Sequence, residues 1–227
     1  MNIHPYHSFD LTVSQMQEIQ RELRKKIQET PDINQPKIVC GVDLSYWEDQ
    51  AVAVITGMDY ATKEIVETIT YTDTVSHEYI PGFLAFRELP LFLKAWEQLK
   101  LEPDIVFFDG NGMLHPQRAG LATHASFFIQ KPTIGIAKNH FIGTYDPPGE
   151  TQGSYEYIRD QGEIVGAVLR TQTGIKPVYV SVGNQINLSN AIDLTMHFVG
   201  KHSRIPEITR QPDLLSKKIR RELQTKR

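Results

Sequence analysis

The chain has a single cysteine, Cys40, in 227 residues, which excludes an intrachain disulfide and a cysteine-based zinc site. A reducing, intracellular setting fits that usage. It has no apolar run of about 18 residues and no basic N-terminal segment leading into one, so a membrane span and a secretory leader are not expected, and a soluble, cytoplasmic protein is. Excess positive charge is also missing. With 24 Lys and Arg against 27 Asp and Glu, the net charge is -3 and the pI about 6.2. A general basic coat for nucleic acid is thereby excluded, and any polyanion site must be local. Candidates are Arg118, Lys138, Lys201 to Arg204, Arg210, and the basic end with Lys217, Lys218, Arg220, Arg221, Lys226 and Arg227; that end also reads as a solvated helix face. No linker, repeat or low-complexity tract interrupts the chain. With 40% hydrophobic content, one domain over 1–227 is expected: an N-terminal helical extension (1–36), a core (37–213) and a basic C-terminal helix or tail (214–227).

What is present is periodic. Thr12 to Gln15 matches a capping box, and Val13, Met16, Ile19, Leu23 and Ile27 recur at helical spacing, with Pro31 and Pro36 closing the segment. Three strands rich in β-branched residues follow, Ile38–Val42, Ala51–Gly57 and Glu64–Thr72, as an antiparallel meander. Phe83–Phe86 and Leu91–Leu99 read as helical, with Pro90 expected to break or kink the element just after Glu88. Asp104–Phe108 and Thr133–Ala137 read as parallel strands joined by a helix from Gln117 to Ile129. Glu163–Arg170 and Pro177–Val182 suggest a hairpin, and Leu188–Phe198 and Thr209–Glu222 closing helices. The fold class is α/β: a mixed central sheet, three antiparallel strands then parallel ones, flanked by helices.

Three carboxylates are attached to apolar or glycine-rich runs: Asp43 after Lys37-Ile-Val-Cys-Gly-Val, Glu88 after Ile80-Pro-Gly-Phe-Leu-Ala-Phe-Arg, and Asp109 after Asp104-Ile-Val-Phe-Phe. A charge at the end of a buried strand must be paired, protonated or metal-bound. Singly, each reads as a cap or a salt-bridged surface acid. Jointly, if the first and fourth strands are neighbours, they place a set of oxygen donors at one sheet edge. Such a set suits a hard divalent cation, Mg²⁺ first, and phosphoryl or phosphodiester chemistry.

Those residues sit within motifs that run through most of the chain: Gly41-Val-Asp-Leu-Ser, Tyr79-Ile-Pro-Gly-Phe-Leu-Ala-Phe-Arg-Glu88, Asp109-Gly-Asn-Gly, His115-Pro-Gln-Arg-Ala-Gly120, Pro132-Thr-Ile-Gly-Ile-Ala-Lys138 and Arg204-Ile-Pro-Glu-Ile-Thr-Arg210. In this order they closely resemble the endonuclease V family of deaminated-base repair nucleases, which has a ribonuclease H-like fold. The resemblance implies that Asp43, Glu88 and Asp109 bind Mg²⁺ or Mn²⁺, with Asp213 as a further ligand position. A helix N-cap is a competing role for Asp213. It implies that Lys138 lies near the scissile phosphate. It implies a wedge at Tyr79, Ile80, Pro81 and Gly82, although Glu78 stands where the family usually has proline. It also implies a hypoxanthine pocket around Gly82, Leu84, Gly110, His115, Gly120 and Phe141. For the glycines turn geometry is the alternative role, and for His115 it is capping of the next helix.

The activity so implied is nicking of the second phosphodiester 3′ to deoxyinosine, leaving 3′-hydroxyl and 5′-phosphate ends. The partner is inosine-containing DNA, with inosine-containing RNA also open, and the protein is expected to be a monomer. Two readings compete: a non-catalytic inosine-binding module, and an actin-like ATPase or sugar kinase, which Gly41-Val-Asp-Leu-Ser faintly resembles. The latter calls for two lobes and a second glycine-rich phosphate loop.

Overall fold

A computed structural model describes residues 1–30, 33, 36–75 and 78–225. The first helix, α1 (Val13–Lys26), carries the expected capping box, Thr12 and Gln15 exchanging side-chain and backbone hydrogen bonds, and buries Met16, Gln20 and Leu23 along one stripe. It stops at Lys26. Pro31 lies outside the described residues, as do Lys226 and Arg227 of the basic end.

The meander forms as β1 (Ile38–Trp47), β2 (Gln50–Asp59) and β3 (Ile65–Thr74). After it come α2 (Leu84–Gln98), β4 (Ile105–Asp109), α3 (Leu121–Ile129) and β5 (Thr133–Ala137), then β6 (Tyr155–Asp160), β7 (Glu163–Leu169), β8 (Val178–Asn184), α4 (Leu188–His197) and α5 (Glu207–Thr225). All eight strands join one sheet in the order β3-β2-β1-β4-β5-β8-β7-β6. The β1–β4 and β4–β5 pairs are parallel, the remainder antiparallel. This is the mixed α/β sheet expected, with β6 as an unforeseen strand.

Alternation along the central strands supplies two cores. Val106 and Phe108 pack with α2 and α3, including Leu89, Phe92, Trp96 and Phe128. Ile105 and Phe107 face the other way, to Ile192 and Phe198 of the α4 side and Ile208 of α5.

Three expectations are corrected. Pro90 lies inside α2, which continues through it, so the expected break does not occur. Its missing N–H and ring clash cost about 3 kcal/mol, less than burial of Leu89, Leu91, Phe92, Leu93 and Trp96 on that helix returns. Helix α3 begins at Leu121, because His115 to Arg118 instead close a turn in which Arg118 takes φ +59. Helix α5 begins at Glu207, so Asp213 sits within it and is no N-cap.

Candidate active site

Strand β1 keeps its pairing with β2 as far as Trp47, but its pairing with β4 ends at Val42 and Phe108. Asp43 is therefore not the end of β1. It is the first residue that β1 presents beyond β4, whose own last residue is Asp109. The third contributor crosses from α5. Pro212 has no N–H for the Ile208 carbonyl, and that oxygen turns to β1 at Gly41, where a Cβ would stand 1.7 Å from it. Only glycine allows this approach, and it sets Asp213 beside the two strand aspartates. One ligand atom each of Asp43, Asp109 and Asp213 lies within 4.8 Å of the others. Three carboxylate oxygens, with no sulfur or imidazole in the group, fit a hard divalent cation.

Lys138, just past β5, hydrogen-bonds Asp109 and reaches Asp213 at 2.7 Å, while Lys217 holds Asp213 at 2.8 Å from the next turn of α5. The buried Ser216 hydroxyl donates to Asp43 and meets the Ser45 hydroxyl at 2.8 Å. Glu88, the fourth predicted acid, is buried on α2 outside the trio. The Tyr46 hydroxyl leans on it without closing a hydrogen bond of normal geometry.

Burial and mutual repulsion favour the protonated form at Asp43, Glu88 and Asp109. Asp43 is pushed up to about 7, by burial and then by the charge of Asp109, against the opposing Ser216 hydrogen bond. Glu88 is pushed up to about 8 by burial; the Tyr46 hydroxyl opposes, and the charges of Asp43 and Asp109 add. Asp109 is raised by burial, with Lys138 offsetting part of it. For Asp213 burial is outweighed by hydrogen bonds from Lys138 and Lys217, so its carboxyl falls below the usual range. Burial alone would lower Lys138, but Asp109 and Asp213 raise it. The array is able to hold a cation and is flanked by two ammonium groups.

Beside it opens a cavity of about 180 Å³ lined by Tyr79, Gly82, Leu84, Ala85, Asn111, His115, Ala119, Gly120, Leu121 and Phe141. Tyr79, Gly82, Leu84, His115, Gly120 and Phe141 were predicted from sequence. Ile80, Pro81 and Gly110 are not in its wall. Ala85, Asn111, Ala119 and Leu121 were missed, although Ala85 is one helical turn before Glu88 and Asn111 two residues after Asp109. Tyr79 is 62% exposed at the rim.

Gly82 has φ +83 and follows Pro81, and the Phe83 N–H returns to the Ile80 carbonyl at 2.9 Å, the signature of a type II turn. His115 caps no helix: α3 has Gly120 at its N-cap. Instead His115 Nδ1 accepts from the Gln117 N–H at 3.2 Å, which leaves Nε2–H to donate to the Gly82 carbonyl at 3.0 Å. Burial lowers its pKa to about 4, so the imidazole is neutral at physiological pH.

Other candidates are spoken for. Arg118, proposed for phosphate, is 1% exposed and ion-paired with Asp160 and Glu163, each at 2.8 Å. Arg204 donates to the carbonyls of Pro177 and Lys138, and Arg210 pairs with Glu207. Two histidines outside the site have structural partners: His124 meets His7 at 2.6 Å in an aromatic cluster, and His197 donates to the Tyr60 carbonyl. A larger cavity of about 340 Å³, lined by Met113, Tyr157, Ile164 and Leu188 among others, has Glu29 as its one titratable carboxylate and none of the acid trio. Size does not select the site; chemistry does.

Comparison with known proteins agrees with this geometry. The family model described as Endonuclease V matches residues 21–214. An Endonuclease V of Petrotoga mobilis is 47% identical over 220 residues, 97% of this chain and 99% of that protein. A crystal structure of Endonuclease V from Bacillus subtilis superposes with TM-score 0.96 at 38% identity, covering 100% of both chains. A Ciona intestinalis Endonuclease V, solved with a 24mer DNA containing an inosine followed by a ribo-adenosine, gives TM-score 0.82 at 26% identity over 93% of this chain and 98% of that one. The fold is thus the ribonuclease H-like one implied by the motifs. The chain belongs to the endonuclease V family.

Proposed function

We propose that this protein is a Mg²⁺-dependent repair endonuclease that nicks DNA at the second phosphodiester 3′ to a deoxyinosine, leaving 3′-hydroxyl and 5′-phosphate ends. The observation that carries the reading is contiguity. The carboxylates of Asp43, Asp109 and Asp213 converge within 4.8 Å, and the cavity wall includes Asn111, two residues past Asp109, and Ala85, one turn of α2 before Glu88. Asp43, Asp109, Asp213 and Glu88 would hold the ion. When bound, Mg²⁺ would activate a water and stabilise the leaving oxygen; Mn²⁺ has the same preference for oxygen donors and would substitute.

The residues of the chain supply the remainder. Lys138, already turned to the carboxylates, offers an ammonium to neutralise charge developing on the phosphate. Gly82, Leu84, Gly120 and Phe141 enclose an extruded base, and Tyr79 with Ile80 and Pro81 fills the gap left in the stack. In this reading the whole chain acts as one monomeric domain in the cytoplasm, with inosine-containing RNA as a second substrate.

The test is incubation of end-labelled duplexes bearing one deoxyinosine or one deoxyadenosine, with Mg²⁺ or with EDTA, and mapping of the cut. Inosine-dependent, Mg²⁺-dependent nicking at the second 3′ bond is expected. Equal cutting of both duplexes, or cutting in EDTA, would overturn the proposal. The Asp43→Ala variant should bind the inosine duplex without nicking it, and retained nicking would remove Asp43 from the site.

A further inference from the structure

The carbonyl of Gly82 accepts two hydrogen bonds, and only one comes from the cavity wall. The first donor is His115 Nε2 at 3.0 Å. The second is Gln20 Nε2 at 2.7 Å, sent from α1 across 62 residues of sequence. Gln20 is 1% exposed, a buried amide on a helix whose neighbouring inward positions are the apolar Met16 and Leu23. An amide in an apolar stripe is costly unless it is hydrogen-bonded, and the bond that satisfies Gln20 is the one to Gly82.

Helix α1 and the residues just after it are also fixed from three directions. Leu23 packs with Ala119 and Phe127, Arg24 pairs with Glu163 at 2.7 Å, and the backbone N–H of Gln28 donates to Asn184 at 2.9 Å. Glu163 in turn pairs with Arg118, whose guanidinium donates to the His115 carbonyl at 3.0 Å. The same helix thus reaches both walls of the cavity: directly to Gly82, and through Glu163 and Arg118 to His115.

We infer that Gln20 is a positioning residue for base recognition: it locks the Ile80–Phe83 turn, which presents Tyr79 at the rim and Gly82 in the wall, and so sets affinity for the extruded base. It touches neither the acid trio nor Lys138, so it has no part in the bond-breaking step. This inference rests on the inosine-nuclease reading and adds to it a role for the N-terminal helix, which makes α1 part of the recognition machinery.

Single-turnover nicking of the deoxyinosine duplex, titrated with full-length protein in Mg²⁺, separates half-saturation from maximal rate. Gln20→Leu, which removes the donor while keeping the bulk, should raise the half-saturating concentration about tenfold and leave the maximal rate within about twofold. Gln20→Glu keeps the shape but turns an acceptor toward the carbonyl, and should raise it at least as much; it also serves if Gln20→Leu fails to fold. Ile192→Ala destabilises the core on the α4 side, away from α1 and the cavity. At a matched drop in melting temperature it should shift half-saturation less. A loss of maximal rate at unchanged half-saturation, wild-type behaviour of both Gln20 variants, or an equal shift from Ile192→Ala would each overturn the inference. Absence of inosine nicking by the wild type would instead defeat the underlying reading.

Discussion

Replacing Glu88 by glutamine should stabilise the metal-free protein while abolishing its activity, and the stabilisation should depend on pH in one direction. Glu88 is buried on α2, and its carboxyl is pushed up to about 8 from an ordinary 4.5, by burial above all. A carboxyl raised in the folded state binds its proton more tightly there than in the unfolded chain. Its contribution is therefore fully present below about pH 4.5 and is lost as pH rises through about 8. At about 1.4 kcal/mol per pH unit across that window, the buried anion costs the apo fold at most about 5 kcal/mol by pH 9. Glu88→Gln cannot ionise and escapes that cost. In EDTA its melting temperature relative to wild type should climb between pH 5 and pH 9. At about 2 to 4 °C per kcal/mol for a chain of this size, the climb should reach about 10 °C. Excess Mg²⁺ should raise the wild type and close the gap, because the cation repays the repulsion that Asp43 and Asp109 add to Glu88. The measurement is differential scanning fluorimetry of both proteins across pH, with and without Mg²⁺. A melting difference that stays flat from pH 5 to pH 9 in EDTA would refute the electrostatic argument.

Two further outcomes test how α5 builds the site. Ser216→Ala removes the hydroxyl that donates to Asp43. It should raise the Mg²⁺ concentration needed for half-maximal nicking by about 10- to 100-fold with little change in melting temperature; an unaltered Mg²⁺ titration would show that Asp43 needs no such orientation. Gly41→Ala puts a methyl 1.7 Å from the Ile208 carbonyl, forces α5 off β1, and should cost on the order of 3 kcal/mol in urea unfolding together with nicking. Wild-type stability would mean that α5 does not rest on β1 as described.

The elements legible in the sequence were those written in local periodicity and turn chemistry: the Thr12–Gln15 capping box, the β1–β3 meander, the β4-α3-β5 unit, and the Ile80-Pro81-Gly82-Phe83 turn. What was missed is non-local. Strand β6 reads Tyr-Glu-Tyr-Ile-Arg-Asp, with Ile158 its one fully buried residue, so no apolar stripe announced it. The Gln161-Gly162 turn before β7, with φ +52 and +82, was the available hairpin signal. Arg118 was read as a phosphate ligand because its partners Asp160 and Glu163 lie over 40 residues away. Ser216 and Asp43 are 173 residues apart, and no spacing rule connects a serine in a basic helix to a strand aspartate. Pro90 carries the opposite error: a break is expected there, and packing holds it inside α2.

The net charge of -3 then takes on a local meaning. A nucleic-acid enzyme without surplus cations must place them locally, and α5 sets one, Lys217, within a little over one turn of the acid it pairs with. Asp213, Ser216 and Lys217 stand at i, i+3 and i+4, on one side of the helix. Asp213 completes the acid trio, Ser216 orients Asp43, and Lys217 balances Asp213 beside Lys138. The Asp213 carboxylate, the hydroxyl that donates to Asp43 and a compensating cation thus arrive together when one helix docks over Gly41, so loss of that docking removes all three at once. This is why the Gly41 and Ser216 variants should separate cleanly: the first dismantles fold and site in one step, and the second leaves the fold intact and weakens only its hold on the cation.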